Sequence, residues 1–377
     1  MIRKINAACR ASVLFLAVLS ILVLASLLHP AEVTAQKTDR VAAASPGGTS
    51  AADLLTRVIE GAKREGVVDA ALQSSLSPRG IAAVQDGIRK QYGIDLKITY
   101  TPTRSYPRIH AQALTELKAG APPSFDLITL EDFRIFALSE EGGIERVDWG
   151  PLLLPRTPPE VAVYSGSGLV VNTTFLGLLY NPKVISSEDA PSSLKDLTNP
   201  KWRGKVLVPP YTAVWMPLVI PTGRQASLSM VDGIMKNGAV VTEWPTAINR
   251  FTLGEFPLVA LISETFAHQL KAKGLAVGFK PLDAALVNQH IVAVRAGARH
   301  PNAAKLLAAF LASPEALKIW QEIAVAPNFH YRDQSPLGLG AEWRGVRPWF
   351  WNPERLRYSS TPEVGAWEQE IGRVLTH

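Results

Sequence analysis

The feature that most constrains the fold of this 377-residue chain is an alternation of short apolar runs with amphipathic helical segments. In the first part, the runs Val67–Leu72, Asp95–Thr103 and Phe125–Leu130 each precede a segment with apolar residues at helical spacing. Strands that alternate with helices form a mostly parallel sheet that is covered on both faces. The sequence therefore predicts an α/β fold.

The alternation resumes after a proline-rich stretch at Asp148–Ser167. The predicted strands of this second block are Lys205–Val208, Val240–Glu243, Leu258–Ser263, Ala276–Phe279 and Ile291–Val294. Two blocks of this length exceed one small core and predict two lobes. We place the strands that cross between the lobes near Gly168–Tyr180 and Phe279–Asp283.

The N-terminus has the layout of an export signal. Arg3, Lys4 and Arg10 precede an apolar stretch from Ala11 to Leu28, and small residues then stand before Gln36. We predict cleavage there and a periplasmic protein, with an uncleaved anchor as the alternative. The predicted parts of the chain are the signal peptide (1–35), a flexible leader (36–52), the first part of lobe 1 (53–167), lobe 2 (168–283), the return of lobe 1 (284–331) and a tail (332–377) whose last helix packs on lobe 2.

Composition and motifs argue against several functions. The formal net charge of +6 comes without a basic run interleaved with aromatics, so a nucleic-acid partner is not expected. The single cysteine, Cys9, lies within the predicted signal, which leaves no thiol for catalysis or metal binding. The sequence has no phosphate-binding loop, no complete dinucleotide fingerprint and no nucleophile elbow. Glu264 and His268 are four residues apart, and we interpret them as an ion pair rather than a metal site. We therefore expect neither an enzyme nor a cofactor.

Four segments resemble the extracellular solute-binding proteins of ABC importers, in their ferric-iron-binding-like branch. These are Gly66–Pro78 (GVVDAALQSSLSP), Leu179–Lys205 with its YNP and PKWRGK motifs, Gly254–Gly274, and Val292–Glu315 with HPNAAKLLAAFLASPE. They occur in the family's order and span about residues 66–323. The resemblance implies the type II periplasmic-binding-protein fold, with two α/β lobes, crossing strands and a ligand cleft. It also implies partnership with a membrane permease and its cytoplasmic ATPase, and a monomeric receptor.

The sequence departs from the family where iron would be held. Ferric-binding members place two adjacent tyrosines at the start of the helix after the strand that corresponds to Leu258–Ser263, and Thr265 and Phe266 stand there instead. The loop after PKWRGK is also not the usual Ser/Gly-rich loop, since it reads PPYTAVW from Pro209 to Trp215. Direct capture of iron by a phenolate pair is therefore not expected.

Candidate ligand-binding residues lie after the predicted strands, where open α/β sheets bind ligands. They are Ser74, Ser75, Ser77, Thr129, Glu131, Tyr211, Thr212, Trp215, Glu243, Trp244, Thr246, Glu264, Thr265 and Phe266. Tyr211, Trp215, Trp244 and Phe266 as walls, with carboxylates as clamps, favour an organic cation or other small organic molecule. A ligand bearing a carboxylate would instead need a cation, for which Arg104 is the nearest candidate, and a ferric chelate stays a third possibility.

Overall fold

The computed structural model of the protein describes residues 50–103, 105–331 and 348–376. The predicted signal peptide, most of the leader, Arg104 and the first sixteen residues of the predicted tail lie outside the described residues. Within the described part of the chain, no helix is both long enough and apolar enough to cross a membrane.

The strands form one mixed sheet. Their bounds are Val67–Gln73 (β1), Lys97–Thr103 (β2), Leu127–Glu131 (β3), Ala162–Val163 (β4), Gly168–Tyr180 (β5), Val206–Val208 (β6), Val240–Val241 (β7), Leu258–Ser263 (β8), Gly278–Val294 (β9) and Pro348–Trp349 (β10). The order is β2-β1-β3-β9-β5-β8-β6-β7, with β10 beside β9 and β4 beside β5. The outer trios β2-β1-β3 and β8-β6-β7 are parallel, whereas β5 and β9 pair antiparallel to each other and to their neighbours β8 and β3.

Helices cover the sheet on both faces, which confirms the predicted α/β class. They span Ala51–Glu65 (α1), Ser77–Tyr92 (α2), Tyr106–Lys118 (α3), Asp132–Glu140 (α4), Thr212–Thr222 (α5), Arg224–Lys236 (α6), Trp244–Thr252 (α7), Glu264–Ala272 (α8), Pro301–Leu311 (α9), Pro314–Ile319 (α10), Pro353–Ser359 (α11) and Pro362–Thr376 (α12). Helix α1 starts two residues before the predicted Asp53, because Ser50 and Asp53 form a reciprocal capping box.

The apolar core divides along the two long strands β5 and β9. One cluster, here lobe 1, takes residues from Val58 to Val171 and from Ile291 to Tyr331. Two further clusters, here lobe 2, lie on opposite faces of the second half of the sheet and take residues from Phe175 to Val287. Helix α12 completes lobe 2 through Val364, Trp367, Ile371 and Leu375.

Two elements differ from the sequence-based prediction. Ala276–Phe279 and Ile291–Val294 were expected as separate strands, but both belong to the continuous β9 or its approach. The polar residues between them interrupt the apolar run, although the backbone pairs with β5 over Gly278–Pro281 and again over Leu286–Val292. No helix was predicted over residues 212–222, the first of which belong to the loop expected at Pro209–Trp215, but they form α5 with Pro217 and Pro221 inside the helix. Packing in the lobe 2 core overrides the helix-breaking tendency of these prolines.

Candidate ligand-binding site

The parallel strands of both lobes end beside the same stretch of the two crossing strands. In lobe 1, β3 ends at Glu131, which pairs with His290 of β9. In lobe 2, β8 ends at Ser263, which pairs with Leu176 of β5. Leu176 is four residues from Asn172, about 13 Å along the strand. Side chains at these strand ends are therefore brought to the centre of the sheet.

A cluster of polar side chains occupies the lobe 1 side of this centre. Gln73 and Thr103 are the last residues of β1 and β2 and pair in register, while Asn172 and His290 pair across β5 and β9. Tyr106 opens helix α3 above them. We name these residues, with Glu131, the hinge cluster: Gln73, Thr103, Tyr106, Glu131, Asn172 and His290.

Hydrogen bonds connect most of the hinge cluster in a chain. The Asn172 Nδ2 group donates to Gln73 Oε1, and the Tyr106 hydroxyl lies 3.1 Å from His290 Nδ1. The Gln73 amide also lies beside the Tyr106 phenol. Among the described residues, Asn172 Oδ1 and Thr103 Oγ1 have no hydrogen-bond partner, although both side chains are buried. Unpaired buried polar atoms are rare in native proteins and often mark functional sites.

Burial governs the ionisation of the hinge cluster. It lowers the pKa of His290 to about 4, so the imidazole is neutral at physiological pH. Burial and the nearby Glu131 charge raise the pKa of Tyr106. Burial likewise raises the pKa of Glu131, although Arg134, whose Nε lies 3.2 Å from Glu131 Oε2, opposes the effect.

A second buried network lies on the other face of β9. The Asp132 carboxylate, at the start of α4, accepts hydrogen bonds from the Gln289 backbone N–H at 2.8 Å and from Gln289 Nε2 at 2.7 Å. It also accepts from the Tyr164 hydroxyl, and Gln289 Oε1 lies 2.9 Å from His330 Nε2. Burial raises the pKa of Asp132 to about 6. This network joins α4 of lobe 1 to the crossing strand.

Aromatic side chains converge on the lobe 2 side. The rings of Tyr211 and Trp244 are 5.0 Å apart, and those of Trp244 and Phe266 are 6.2 Å apart, both edge to face. Each ring follows a different parallel strand, namely β6, β7 and β8. The Trp244 indole donates to the Leu261 carbonyl at 3.1 Å, which fixes its orientation. We name these three residues the aromatic wall.

Phe329 and Phe350 extend the aromatic surface. Both pack on the same lobe 2 core cluster as Trp244 and Phe266, and their own rings are 5.2 Å apart. Phe350 also stacks with His330 at 5.8 Å. The sequence-based prediction did not include Phe329 or Phe350, because neither follows a strand that was predicted from the sequence.

Glu264 is a buried carboxylate at the N-terminus of α8. One oxygen, Oε1, lies 2.9 Å from His268 Nε2, as expected from their spacing. The other, Oε2, has no partner among the described residues. Thr265 and Phe266 follow it and are half-buried. Neither side chain carries a phenol group, so they do not replace the phenolate pair.

Trp215 does not line the candidate site, contrary to the sequence-based prediction. Its side chain is fully buried in the lobe 2 core, and its indole donates to the Pro209 carbonyl at 3.2 Å. Thr212 bonds at 2.5 Å to Glu368 of α12, which turns it toward that helix.

The remaining predicted residues lie at strand and helix ends. Thr129 is fully buried in β3, and its hydroxyl is unpaired among the described residues. Ser77 begins α2 with a φ of 58° and is half-buried. Four residues are exposed at the turns after β1 and β7: Ser74, Ser75, Glu243 and Thr246.

The sequence-based prediction included Glu131 but missed the other five hinge-cluster residues: Gln73, Thr103, Tyr106, Asn172 and His290. Asn172 and His290 lie inside the long strands β5 and β9, not after a strand end. A signal was present in the sequence, since Asn172 lies between two apolar runs, Gly168–Val171 and Phe175–Tyr180. A buried polar residue in such a run is the informative exception.

One group of side chains in lobe 1 has metal-like spacing. Ligand atoms of Asp69, Asp126 and His300 lie within 4.8 Å of one another. The Asp126 carboxylate is already bonded by the backbone N–H groups of Asp69, Arg299 and His300 and by the His300 ring. Arg299 bridges to Asp69 at 2.9 Å. These bonds join β1, the start of β3 and the approach to α9, which accounts for the group without a metal.

A surface cavity lies elsewhere in lobe 1. It measures about 420 Å³, opens widely to solvent and is lined by residues that include Arg146, Trp149 and Gly166. None of its lining side chains carries a buried unpaired polar atom. The strand ends at the centre of the sheet are therefore the stronger candidate.

Comparison with known proteins gives a consistent family. Residues 86–336 match the family model described as bacterial extracellular solute-binding protein. Comparison with curated proteins gives no match.

Solved structures of similar fold include three that were determined with bound ligands. Iron-bound HitA from Pseudomonas aeruginosa has a TM-score of 0.63 at 22% identity, covering 81% of this chain and 99% of its own. The Trichodesmium protein IdiA (FutA) with iron and citrate has a TM-score of 0.63 at 17% identity, covering 82% and 99%. The periplasmic binding protein AgtB of Agrobacterium tumefaciens R10 with agropinic acid has a TM-score of 0.59 at 15% identity, covering 83% and 99%. These likenesses confirm the predicted periplasmic-binding-protein fold.

Proposed function

Because the chain belongs to the bacterial extracellular solute-binding proteins, we propose that it captures a small organic solute between its lobes and delivers it to a membrane permease. The observation that carries this proposal is the hinge cluster, with two buried polar atoms, Asn172 Oδ1 and Thr103 Oγ1, left unpaired by the described residues. A bound solute would supply the missing hydrogen bonds. Closure of the lobes about β5 and β9 would then bury it.

The aromatic wall supports an organic rather than a purely ionic ligand. Tyr211, Trp244 and Phe266 form a continuous edge-to-face run after three neighbouring strands. Aromatic faces bind apolar bodies and organic cations. We propose that the ligand lies between this wall and the hinge cluster.

The finer assignments follow the family. We propose a monomeric periplasmic receptor, exported with removal of residues 1–35, that acts without catalysis and partners a permease driven by a cytoplasmic ATPase. The two lobes are proposed to divide near residues 168 and 284, with residues 284–331 returning to lobe 1.

A ferric chelate is the second candidate. HitA was solved bound to iron, and the Trichodesmium protein was solved with iron and citrate. A chelate would not need the tyrosine pair that Thr265 and Phe266 replace, since citrate itself supplies hard oxygen ligands.

A thermal-shift screen of the purified protein tests the proposal. The panel would contain ferric citrate, free ferric iron, polyamines, quaternary amines, phosphonates, sulfonates and aromatic acids. A ligand at about 100 times its dissociation constant adds roughly 2.7 kcal/mol of stability. A rise with one class would support the receptor function, and a rise only with iron, with a visible charge-transfer band, would favour the second candidate. A flat response to the panel and to a small-molecule cell extract would contradict the proposal.

A further inference from the structure

We propose that the hinge cluster binds the hydrogen-bond-donating end of the solute, and that the solute is a small organic cation with an N–H group, such as a protonated amine or amidine. This inference rests on the proposed function and specifies its ligand class. It depends on which atoms of the cluster stay free once its internal hydrogen bonds are formed.

The first step concerns the free atom of Asn172. Its side chain is completely buried, and its Nδ2 group is used in donating to Gln73 Oε1. Among the described residues nothing donates to its Oδ1 atom. A buried amide oxygen without a donor is costly, so the site favours a partner that brings one.

The second step concerns the direction of the hydrogen-bond chain. The Tyr106 hydroxyl has a single proton, which it can donate to Nδ1 of the neutral His290 ring 3.1 Å away. The Tyr106 oxygen can then accept from the Gln73 amide beside it, which leaves Gln73 Oε1 for Asn172 Nδ2. The chain therefore runs from Asn172 to His290, and the Asn172 carbonyl oxygen is left without a donor.

The opposite direction would need a proton on His290 Nδ1. Each donor in the chain would then turn over, and Asn172 would present its NH₂ group to an anionic ligand. The tautomer of His290 thus decides whether the site accepts or donates. This link makes His290 a positioning residue for the ligand-binding atom of Asn172.

The third step concerns the charges around the site. Glu131 ends β3 within the cluster and pairs with Arg134, so the charge of that guanidinium is already balanced. Across the crossing strands, Glu264 is buried and its Oε2 atom has no described donor. Free acceptors on both sides suit a cation and repel a carboxylate, phosphonate or sulfonate.

The experiment combines probe pools of opposite charge with variants of Asn172. Thermal shifts of the full-length protein would be measured with a pool of amines and amidines (putrescine, agmatine, benzylamine, benzamidine), with a pool of anions (succinate, benzoate, phenylphosphonate, benzenesulfonate) and with ferric citrate. Calorimetry would then give the affinity of the best probe for wild type, N172D and N172L. The N172D variant makes the free oxygen anionic; Gln73 then turns its amide to donate to the other carboxylate oxygen, and the chain reverses toward a His290 tautomer protonated on Nδ1. The N172L variant removes the oxygen at similar volume.

We expect hits in the cationic pool only. The best probe should bind about tenfold or more weakly to N172L, as expected for loss of one hydrogen bond to a charged group, and at least as tightly to N172D. The matched control is N181D, which adds the same charge at an asparagine that caps the turn at Lys183, and it should leave the affinity unchanged.

Three outcomes would overturn the proposal. An anionic or ferric best probe would show a solute of the wrong class while leaving the receptor function standing. A cationic probe whose affinity is the same for wild type and a folded N172L would remove Asn172 from the site. No hit from any pool would count against the proposed function, and the ligand class would fall with it.

Discussion

Two buried ionisable groups near the crossing strand β9 should give opposite pH dependences of stability. His290 bonds to Tyr106, and Asp132 bonds to the neighbouring Gln289. Burial lowers the pKa of His290 from 6.5 to about 4 and raises that of Asp132 from 3.8 to about 6. We predict that these two groups together change the free energy of unfolding of wild type little between pH 6 and pH 4, because their effects cancel there.

The direction of each effect follows from proton binding. Between pH 6.5 and pH 4 the unfolded chain protonates His290 and the folded chain does not, so acidification destabilises the protein. Between pH 6 and pH 3.8 the folded chain protonates Asp132 and the unfolded chain does not, so acidification stabilises it. At 1.36 kcal/mol for each unit of pKa difference, each contribution amounts to about 3 kcal/mol.

Single variants should separate the two contributions. Between pH 7 and pH 4, the free energy of unfolding of D132N should fall by about 3 kcal/mol more than that of wild type. Over the same range, the free energy of unfolding of H290Q should change by about 3 kcal/mol in the opposite direction relative to wild type. Glu131, Arg134, Tyr164 and His330 surround these groups and stay in every variant, so their shared effects largely cancel in the comparison. Urea denaturation followed by circular dichroism gives the values.

The double variant D132N/H290Q is the control. It should return to a pH slope close to that of wild type, whatever stability it loses at all pH values. Parallel pH profiles for wild type and both single variants would refute the reasoning, because they would mean that neither group changes its proton affinity on folding.

Four further predictions follow from individual contacts. W215A should lower the free energy of unfolding by about 3–5 kcal/mol in urea denaturation, since its indole is fully buried, and a loss below 1 kcal/mol would contradict this packing. W244F should remove most of a ligand-induced change in tryptophan fluorescence, while W215F should retain it; the reverse would place the ligand away from the aromatic wall. G278A should cost about 1–3 kcal/mol, because a Cβ atom would lie 2.0 Å from the Tyr180 ring, and unchanged thermal stability would refute that contact. D126N should cost about 1–3 kcal/mol by leaving a donor unpaired, and a neutral effect would mean that another acceptor replaces the carboxylate.

Much of the fold could be predicted because local patterns and tertiary structure agree. Strands β1 to β3 lie within two residues of the predicted runs, and a helix follows each of them as predicted, since each apolar run is buried in the sheet. Strand β9 could not be predicted as one element. Polar side chains in its central part interrupt the apolar pattern, and its pairing with β5 is itself interrupted between Pro281 and Leu286. The helix at Thr212–Thr222 was missed because its stability comes from packing rather than from propensity.

In the candidate site, too, only the residues that local patterns indicate could be predicted. Tyr211, Trp244 and Phe266 were grouped from sequence, and they do converge, because each follows one of three parallel strands whose C-terminal ends lie together. The same rule cannot find Asn172 or His290, which lie in strands that run antiparallel through the hinge.

The ligand class is a still less local property. Asn172 can present either an oxygen or an NH₂ group, and the choice depends on three partners drawn from β1, α3 and β9. Burial keeps the His290 ring neutral, and the tautomer with its proton on Nε2 then accepts the Tyr106 proton at Nδ1, which a charged ring cannot do. The burial of one histidine in the crossing strand is therefore linked to the hydrogen-bonding character of an asparagine in the neighbouring strand. A substitution at His290 should consequently alter ligand affinity without touching the ligand, and this effect distinguishes a polarised hydrogen-bond chain from a set of independent contacts.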